Sequence, residues 1–284
     1  MESLLVFNSL NILYEVFSLL LVALGLGIIF GLLRVMNMAH GEFISLGAFT
    51  AVSCQMAGLS YWVAFPATLV VCGSIGFLLE RFLIRQLYNR PFDTLVATWG
   101  LSILLRKSLE LGFGKGYQSL ELPLSGSVSI WGTGYPAYRL LLMGFIVILV
   151  GGLTLWYNRS SAAMRVKAMI GNPELAESVG LNTQRLACLT FICGVCCAGL
   201  AGTLLAPLYS VYPAMGLDYL LRSFFILVIG GVGNLWGLFT GAAIIGGLQS
   251  GLAVLVNQTA GYFAVLIVAI IFLWRNPDGI FHRA

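Results

Sequence analysis

Apolar residues fill most of this chain in long runs, and short polar segments separate the runs. A helix needs roughly 20 apolar residues to cross the hydrocarbon of a bilayer, and nine runs approach that length. Several are short or interrupted by glycine or proline, which is typical of broken helices that line a polar path. The predicted helical spans are residues 10–33, 43–57, 61–79, 94–111, 140–156, 186–208, 219–229, 236–255 and 261–274.

Composition also indicates a membrane protein. Of 284 residues, 59% are hydrophobic and 9% are charged, and the mean hydropathy is +0.95, far above that of a soluble globular domain. The 34 glycines fit helices that pack by close backbone approach in lipid. The predicted fold class is therefore an all-α integral membrane protein. It should form about eight or nine spanning or partly spanning helices in a single domain, residues 1–284.

Basic residues orient the chain, because cytoplasmic loops of membrane proteins are enriched in lysine and arginine. Three segments that together hold nine of them are expected to be cytoplasmic: 81–90, 157–185 and the C-terminus. The loop 112–138 contains only Lys115, so we expect it outside, together with 210–217 and the N-terminus. The net charge of +4 is spread along the chain rather than clustered, which excludes nucleic acid as a partner.

The N-terminal segment does not have the pattern of a cleaved signal peptide. The first residues, MESLLVFN, have no basic n-region and no small-residue cleavage site follows, so the first helix is expected to remain in the protein.

Cys193, Cys196 and Cys197 have a spacing that could suggest a metal or redox site. They lie in an apolar run without a nearby histidine or carboxylate, so no metal site is predicted. Gly194, Ala198 and Gly202 recur there every four residues, which predicts a small-residue packing face.

The stretch RVMNMAHGEF, residues 34–43, concentrates polar groups in a chain that otherwise avoids them. Such groups in a membrane protein usually face the protein interior or an aqueous cavity. One interpretation is a plain cytoplasmic turn with Glu42 near the positive end of a helix. The other is a helix break inside the bundle. A metal site or a catalytic dyad is disfavoured, because His40 and Glu42 lack further ligands or a nucleophile at suitable spacing.

The segment 157–185 contains signals for a short helix. Asn172 is a good N-cap, Pro173 suits the first helical position, Glu174 favours the positive helix end, and Gly180 can end the helix. Leu175, Ala176 and Val179 fall on one face, with Glu174 and Glu177 on another. This pattern predicts a docking helix, and an ordinary surface helix is the alternative.

Four motifs, in order along the chain, resemble the permeases of the branched-chain amino acid and urea group of ATP-binding-cassette importers. They are GLGIIFGLLRVMNMAHGEFISLGAF, NPELAESVGLNT, VIGGVGNLWGLFTGA and RNPDGIF. Met36 and Met38 stand where the family often has Ile and Phe. The resemblance implies an ABC importer permease fold in the bacterial inner membrane, with the N-terminus outside and the C-terminus in the cytoplasm.

The resemblance also implies roles for particular residues. The translocation path or its helix breaks would be formed by Asn37, His40, Gly41, Glu42, Gly230, Gly231, Gly233 and Asn234. The motif around 230–234 resembles a second copy of the first break. Coupling to an ATPase would use Asn172, Pro173, Glu174, Ala176, Glu177 and Gly180.

The implied partners are two nucleotide-binding ATPase subunits, a second homologous permease subunit or a second copy of this chain, and an extracytoplasmic substrate-binding protein. The chain contains no G-x-x-x-x-G-K-[ST] motif, so ATP and Mg are expected on the partner subunits, with no cofactor on this chain. The function is therefore transport, not enzymatic catalysis.

The stretch RPFDTLVATWGLSILLRK resembles urea-type permeases, which predicts urea or a short-chain amide as the solute. Branched-chain amino acid transport is the alternative, since a zwitterion bound by helix ends also needs few charges. A self-sufficient channel or secondary transporter is a further alternative, which the long cytoplasmic segment disfavours. Arg106 and Lys107 in this stretch either extend outward to the interface or mark the end of a short helix.

Overall fold

The computed structural model describes residues 2–88, 90–231, 233, 235–276 and 279–280. This part of the chain forms eleven α-helices, two short 3-10 turns at Tyr61–Val63 and Ile84–Gln86, and one β-hairpin. The helices are α1 Glu2–Leu33, α2 His40–Met56, α3 Ala64–Phe82, α4 Pro91–Phe113, α5 Ala137–Arg159, α6 Ser161–Gly171, α7 Pro173–Ser178, α8 Thr183–Leu205, α9 Met215–Gly230, α10 Leu235–Leu255 and α11 Gln258–Arg275. In the hairpin, β1 Ser127–Ile130 pairs antiparallel with β2 Thr133–Pro136.

The all-α prediction is confirmed, and a helix is found at each of the nine apolar runs. Among the described residues, six segments are long and apolar enough to cross a membrane; they contain α1, α3, α5, α8, α10 and α11. Helices α2 and α9 are shorter, with 17 and 16 residues. Helix α4 continues through Arg106 and Lys107 to Phe113, so the alternative of a short helix ending there is wrong.

The bundle is centred on α8, which packs against α1, α2 and α3. The predicted small-residue face is confirmed, because Gly194, Ala198 and Gly202 are all buried. A Cβ added to Gly194 would lie 2.9 Å from the carbonyl oxygen of Gly25 on α1. A Cβ on Gly202 would overlap the carbonyl oxygen of Ile44 on α2. The backbones of these helices therefore approach more closely than any side chain would allow.

Several predicted helix boundaries differ from the structure, and two of the differences have a clear physical reason. Helix α1 begins at Glu2 rather than at residue 10, because its first turns pack on the hairpin, where the rings of Phe7 and Tyr135 lie 5.8 Å apart. Helix α8 ends at Leu205 rather than at 208, because Pro207 has no N–H to donate to the carbonyl of Thr203. The hydroxyl of Tyr61 donates to that carbonyl instead, at 2.8 Å.

Segments predicted to lie outside gather at one end of the bundle. Val211 forms a β-bridge with Gln118, and Thr133 donates a hydrogen bond to the carbonyl of Ser3. At the other end, where α1 terminates, Leu32 and Leu33 pack with a cluster formed by Val166, Met169 and Ala187. The two sets of loops that basic residues distinguish are thus on opposite ends, and the assignment of one end to the cytoplasm stays a prediction.

Candidate functional site

The first break, residues 34–39, lies inside the bundle. Helix α1 ends at Leu33, yet His40 at the start of α2 contacts Val22, which lies three turns earlier on α1. Eleven helical residues correspond to about 16 Å, so the chain runs back along α1 before α2 begins. Arg34 has a positive φ of 54° where the chain reverses. The buried-break interpretation therefore describes this segment, and the interpretation as a plain surface turn is wrong.

Polar side chains hold the start of α2. Asn37 is 2% exposed, and its Oδ1 accepts a hydrogen bond from the backbone N–H of Ala39 at 3.1 Å. His40 is fully buried, and its Nε2 lies 3.1 Å from the carbonyl oxygen of Val22. A carbonyl oxygen can only accept, so Nε2 carries the proton. Asn37 and His40 thus fix the backbone of the break and bind it to α1.

Helix α4 braces the same break from the other side. The N–H of Met38 donates to Thr98 Oγ1 at 3.1 Å, and Ser102 Oγ donates to Glu42 Oε1 at 2.9 Å. Thr98 and Ser102 are four residues apart, so they lie on one face of α4. Glu42 is 1% exposed, and its Oε2 has no hydrogen-bond partner among the described residues. The segment TLVATWGLS thereby has a structural role at the break.

Gly41 allows α2 and α9 to start side by side. A Cβ on Gly41 would overlap the carbonyl oxygen of Gly216, and a Cβ on Gly216 would overlap the carbonyl oxygen of Gly41. The N–H of Gly216 also donates to Ser45 Oγ at 3.0 Å. Two short helices therefore begin beside each other within the bundle, as expected for broken helices near a polar path.

The second break, residues 231–234, differs from the first. It connects α9 directly to α10 at the end of the bundle where α1 terminates, and a Cβ on Gly31 of α1 would lie 2.9 Å from the Cα of Gly233. Gly231 and Gly233 have φ of 91° and 84°, which favours glycine, and Gly230 packs against Gly237. Asn234 lies outside the described residues. Ile280 donates to the carbonyl of Ile229, which places part of the terminal motif on the end of α9.

The short helix in the 157–185 segment forms with the predicted cap and end. Asn172 Oδ1 accepts a hydrogen bond from Leu175 N–H at 3.0 Å, Pro173 begins α7, and Gly180 follows it with φ 85°. Thr183 donates a short hydrogen bond to Glu177, which ties α7 to the start of α8.

The predicted docking face is wrong at Ala176. It is 3% exposed because α7 packs against α6 and α8, so it belongs to the interior of the chain and not to a free surface. Leu175 and Val179 are 62% and 71% exposed, and Glu174 is exposed as well. The exposed side chains at this helix therefore include Glu174 and Leu175 on α7 and Val179 directly after it.

The bundle also contains a polar cavity of about 490 Å³ that was not predicted from the sequence. It lies between α1, α9, α10 and α11 and is lined by Glu15, Asp218, Arg222, Gln249 and Tyr262, among others. We call it the outer polar cavity, because Ser210 and Tyr212 from the loop predicted to lie outside also line it. Its signal in the sequence was Glu15 within an apolar run and Asp218 four residues before Arg222, since charged residues in apolar spans mark functional sites.

Comparison with known proteins places this architecture in a family. A family model described as the permease component of the branched-chain amino acid transport system matches residues 8–274. The high-affinity branched-chain amino acid transport system permease protein BraD of Pseudomonas aeruginosa is 27% identical over 93% of this chain and 91% of its own length. LivH of Salmonella typhimurium is 25% identical over the same shares, and LivM of that organism is 25% identical over 80% of this chain and 59% of its own length. No solved structure matches the chain. Since the family model covers nearly the whole chain, this protein belongs to the family of permease components of branched-chain amino acid transport systems.

Proposed function

We propose that this chain is the permease subunit of an ATP-binding-cassette importer that carries branched-chain amino acids. The observation that carries the proposal is the full-length similarity to BraD and LivH, whose names state this substrate class. The outer polar cavity supports it, because it combines carboxylates with a guanidinium and so offers both signs of charge to a zwitterion.

The prediction of urea or a short-chain amide as the solute finds no support. It was based on the segment RPFDTLVATWGLSILLRK, in which Thr98 and Ser102 contact the first break. The residues of this segment hold the first break in place, so a resemblance within it is a weak basis for predicting the solute. Urea is also neutral, so it would not require the charged residues Glu15 and Arg222 in an apolar bundle, where such groups are costly.

Energy would come from partner subunits, consistent with the absence of a Walker A motif in the sequence. Two nucleotide-binding ATPase subunits that hold ATP and Mg would contact Glu174 and Leu175 on α7 and Val179 directly after it. Asn172, Pro173, Glu177 and Gly180 would fix that helix in place. LivH and LivM of one organism are both similar to this chain, which favours a second, different permease subunit over a pair of identical ones. An extracytoplasmic binding protein would deliver the solute at the end of the bundle that holds the hairpin.

The path would pass the first break. Asn37, His40, Gly41 and Glu42 would hold the start of α2 within the bundle, and Gly230, Gly231, Gly233 and Asn234 would shape the second break near the cytoplasmic end. A self-sufficient channel or secondary transporter is the competing function. The exposed apolar residues of α7 favour the importer, since Leu175 and Val179 have no evident role in a transporter that works alone.

The test is uptake of radiolabelled L-leucine and urea into cells whose own systems for both are deleted. The chain is expressed with and without its ATPase, second permease and binding protein. ATP-dependent accumulation of leucine only with the full set supports the proposal. Accumulation of urea but not leucine would restore the urea interpretation, and leucine accumulation by the chain alone would indicate a secondary transporter.

A further inference from the structure

We propose that the outer polar cavity binds the charged α-carboxylate and α-ammonium groups of an amino acid as it enters the permease. The inference rests on the proposed function and names the site at which this chain holds its solute. In this arrangement, Arg222 binds the carboxylate, and Glu15 with Gln249 binds the ammonium group.

Arg222 has hydrogen-bonding capacity left for a carboxylate. Its guanidinium lies 4.9 Å from the centre of the Tyr262 ring, and its NH2 group donates to the Tyr262 hydroxyl at 2.8 Å. Its NH1 is 3.7 Å from Glu15 Oε1, which is too long for a normal hydrogen bond. A guanidinium has five N–H donors in a planar fork that suits two carboxylate oxygens. The tyrosine therefore orients the fork, and most of its donors have no hydrogen-bond partner among the described residues, which leaves them for a ligand.

A buried polar atom of Gln249 without a hydrogen-bond partner is a second observation that points to a ligand. Its side chain is 5% exposed, and its Nε2 donates to Glu15 Oε1 at 3.2 Å. Its Oε1 has no hydrogen-bond partner in the described part of the chain, and a buried polar atom without a partner is costly. An ammonium group at this position would donate to Gln249 Oε1 and to the Glu15 carboxylate at once.

The size and position of the cavity suit a small zwitterion that arrives from outside. Its volume of about 490 Å³ falls within the usual range for small-molecule sites. Among the described residues that line it, the charged ones are Glu15, Asp218 and Arg222. Asp218 is exposed and accepts a hydrogen bond from the Tyr212 hydroxyl at 2.5 Å, so it lies at the entrance, whereas Glu15 lies deeper.

A direct binding test uses the purified full-length chain in lipid nanodiscs. Ser250 lines the cavity, so the thiol introduced by Ser250→Cys should react with a charged, water-soluble maleimide, and the parent protein gives the background from the six native cysteines. We expect L-leucine to slow the reaction of the introduced thiol in a saturable way, and Arg222→Gln or Glu15→Gln to abolish this protection.

Arg139→Gln is the matched control. The Arg139 guanidinium also lies 4.9 Å from a tyrosine ring, that of Tyr14, and also donates to a side-chain oxygen, here Asn11 Oδ1 of α1, but it is not among the residues that line the cavity. Protection should survive in this variant. The double variant Glu15→Gln/Arg222→Gln tests whether the two residues bind leucine or only hold α1 against α9. If they only held the helices together, each single variant would fail because it leaves one charge unpaired, and removing both charges would restore protection. Intact protection in the double variant would therefore overturn the inference.

Uptake of labelled L-leucine by the complete importer separates failure of the inference from failure of the proposed function. We expect Arg222→Gln to lower the uptake rate about tenfold or more, as loss of a charged hydrogen bond of at least about 1.4 kcal/mol implies, and Arg139→Gln to leave it near the parent value. Leucine uptake without leucine protection of the introduced thiol would refute the cavity site and leave the proposed function standing. No leucine uptake by the parent importer would refute the proposed function itself.

Discussion

His40 Nε2 lies 3.1 Å from the carbonyl oxygen of Val22, which joins the first turn of α2 to the middle of α1. A backbone carbonyl inside a helix normally accepts from the N–H four residues later, so this one serves two donors. The bond fixes the depth at which α2 begins within the bundle.

Replacing His40 should damage the first break. His40→Ala removes the bond to Val22 and leaves a cavity in a fully buried site, so we expect the free energy of unfolding to fall by about 2–4 kcal/mol. Transport should fall with it, because α2 loses its fixed start. Unfolding and leucine uptake are measured together, at equal abundance in the membrane. His282→Ala, at a position outside the described residues, is the comparison, and an equal effect of both substitutions would contradict a special role for His40.

The brace from α4 should act on stability and not on the choice of solute. Ser102→Ala leaves the buried carboxylate of Glu42 without the partner found here, which should cost about 1–3 kcal/mol. Thr154→Ala is the control, because within the described part of the chain the Thr154 hydroxyl donates only to the carbonyl of Val150 in its own helix. The ratio of leucine to urea uptake should be the same in both variants and in the parent. A shift of that ratio towards leucine in Ser102→Ala would show that α4 selects the solute.

The junction of α2 with α9 should not tolerate a methyl group. Gly41→Ala would push a Cβ into the carbonyl of Gly216, and the required displacement should cost about 1–3 kcal/mol. Gly100→Ala is the matched control, since no described atom beyond the neighbouring backbone of its own helix lies within 4 Å of a Cβ at this position. Alanine there should raise stability by about 0.5–1 kcal/mol. Thermal unfolding of both variants in one detergent provides the comparison, and equal midpoints would contradict the close approach.

The exposed residues of α7 should be needed for contact with the ATPase. Leu175→Arg places a charge on an exposed position, so the chain should fold normally but fail to copurify with its ATPase subunits. We expect the permease variant to no longer stimulate the ATPase, whereas the elution profile of the permease alone should be unchanged. Retention of full stimulation would show that the ATPase docks elsewhere, such as the loop around Arg81 and Arg85.

Ala176→Arg should behave differently from Leu175→Arg. Ala176 is buried within the chain, so a guanidinium there loses its hydration without a partner, at a cost of several kcal/mol. The short helix and its packing on α8 should be disrupted before any partner binds. Limited proteolysis near residues 172–183 measures this, and resistance equal to that of the parent would contradict the burial of Ala176.

Local chemistry explains what could be predicted from the sequence. The cap of α7 depends on Asn172 and Leu175, three residues apart, and its end depends on the φ of Gly180, so the pattern of a few residues specifies the helix. The helical spans follow from runs of apolar residues, because lipid requires every backbone group to be bonded within its own helix. The break at residues 34–39 was visible because polar residues interrupt such a run.

Tertiary structure decided the features that depend on distant segments. Glu15 is 234 residues away from Gln249 along the chain, and the two share a cavity with Arg222 only because α1, α9 and α10 pack together. The burial of Ala176 and the meeting of Gly41 with Gly216 likewise depend on packing between separate helices. A run of apolar residues specifies that a helix forms, whereas its neighbours and the faces that meet them follow from the packing of the whole bundle, in which backbones approach wherever small residues coincide.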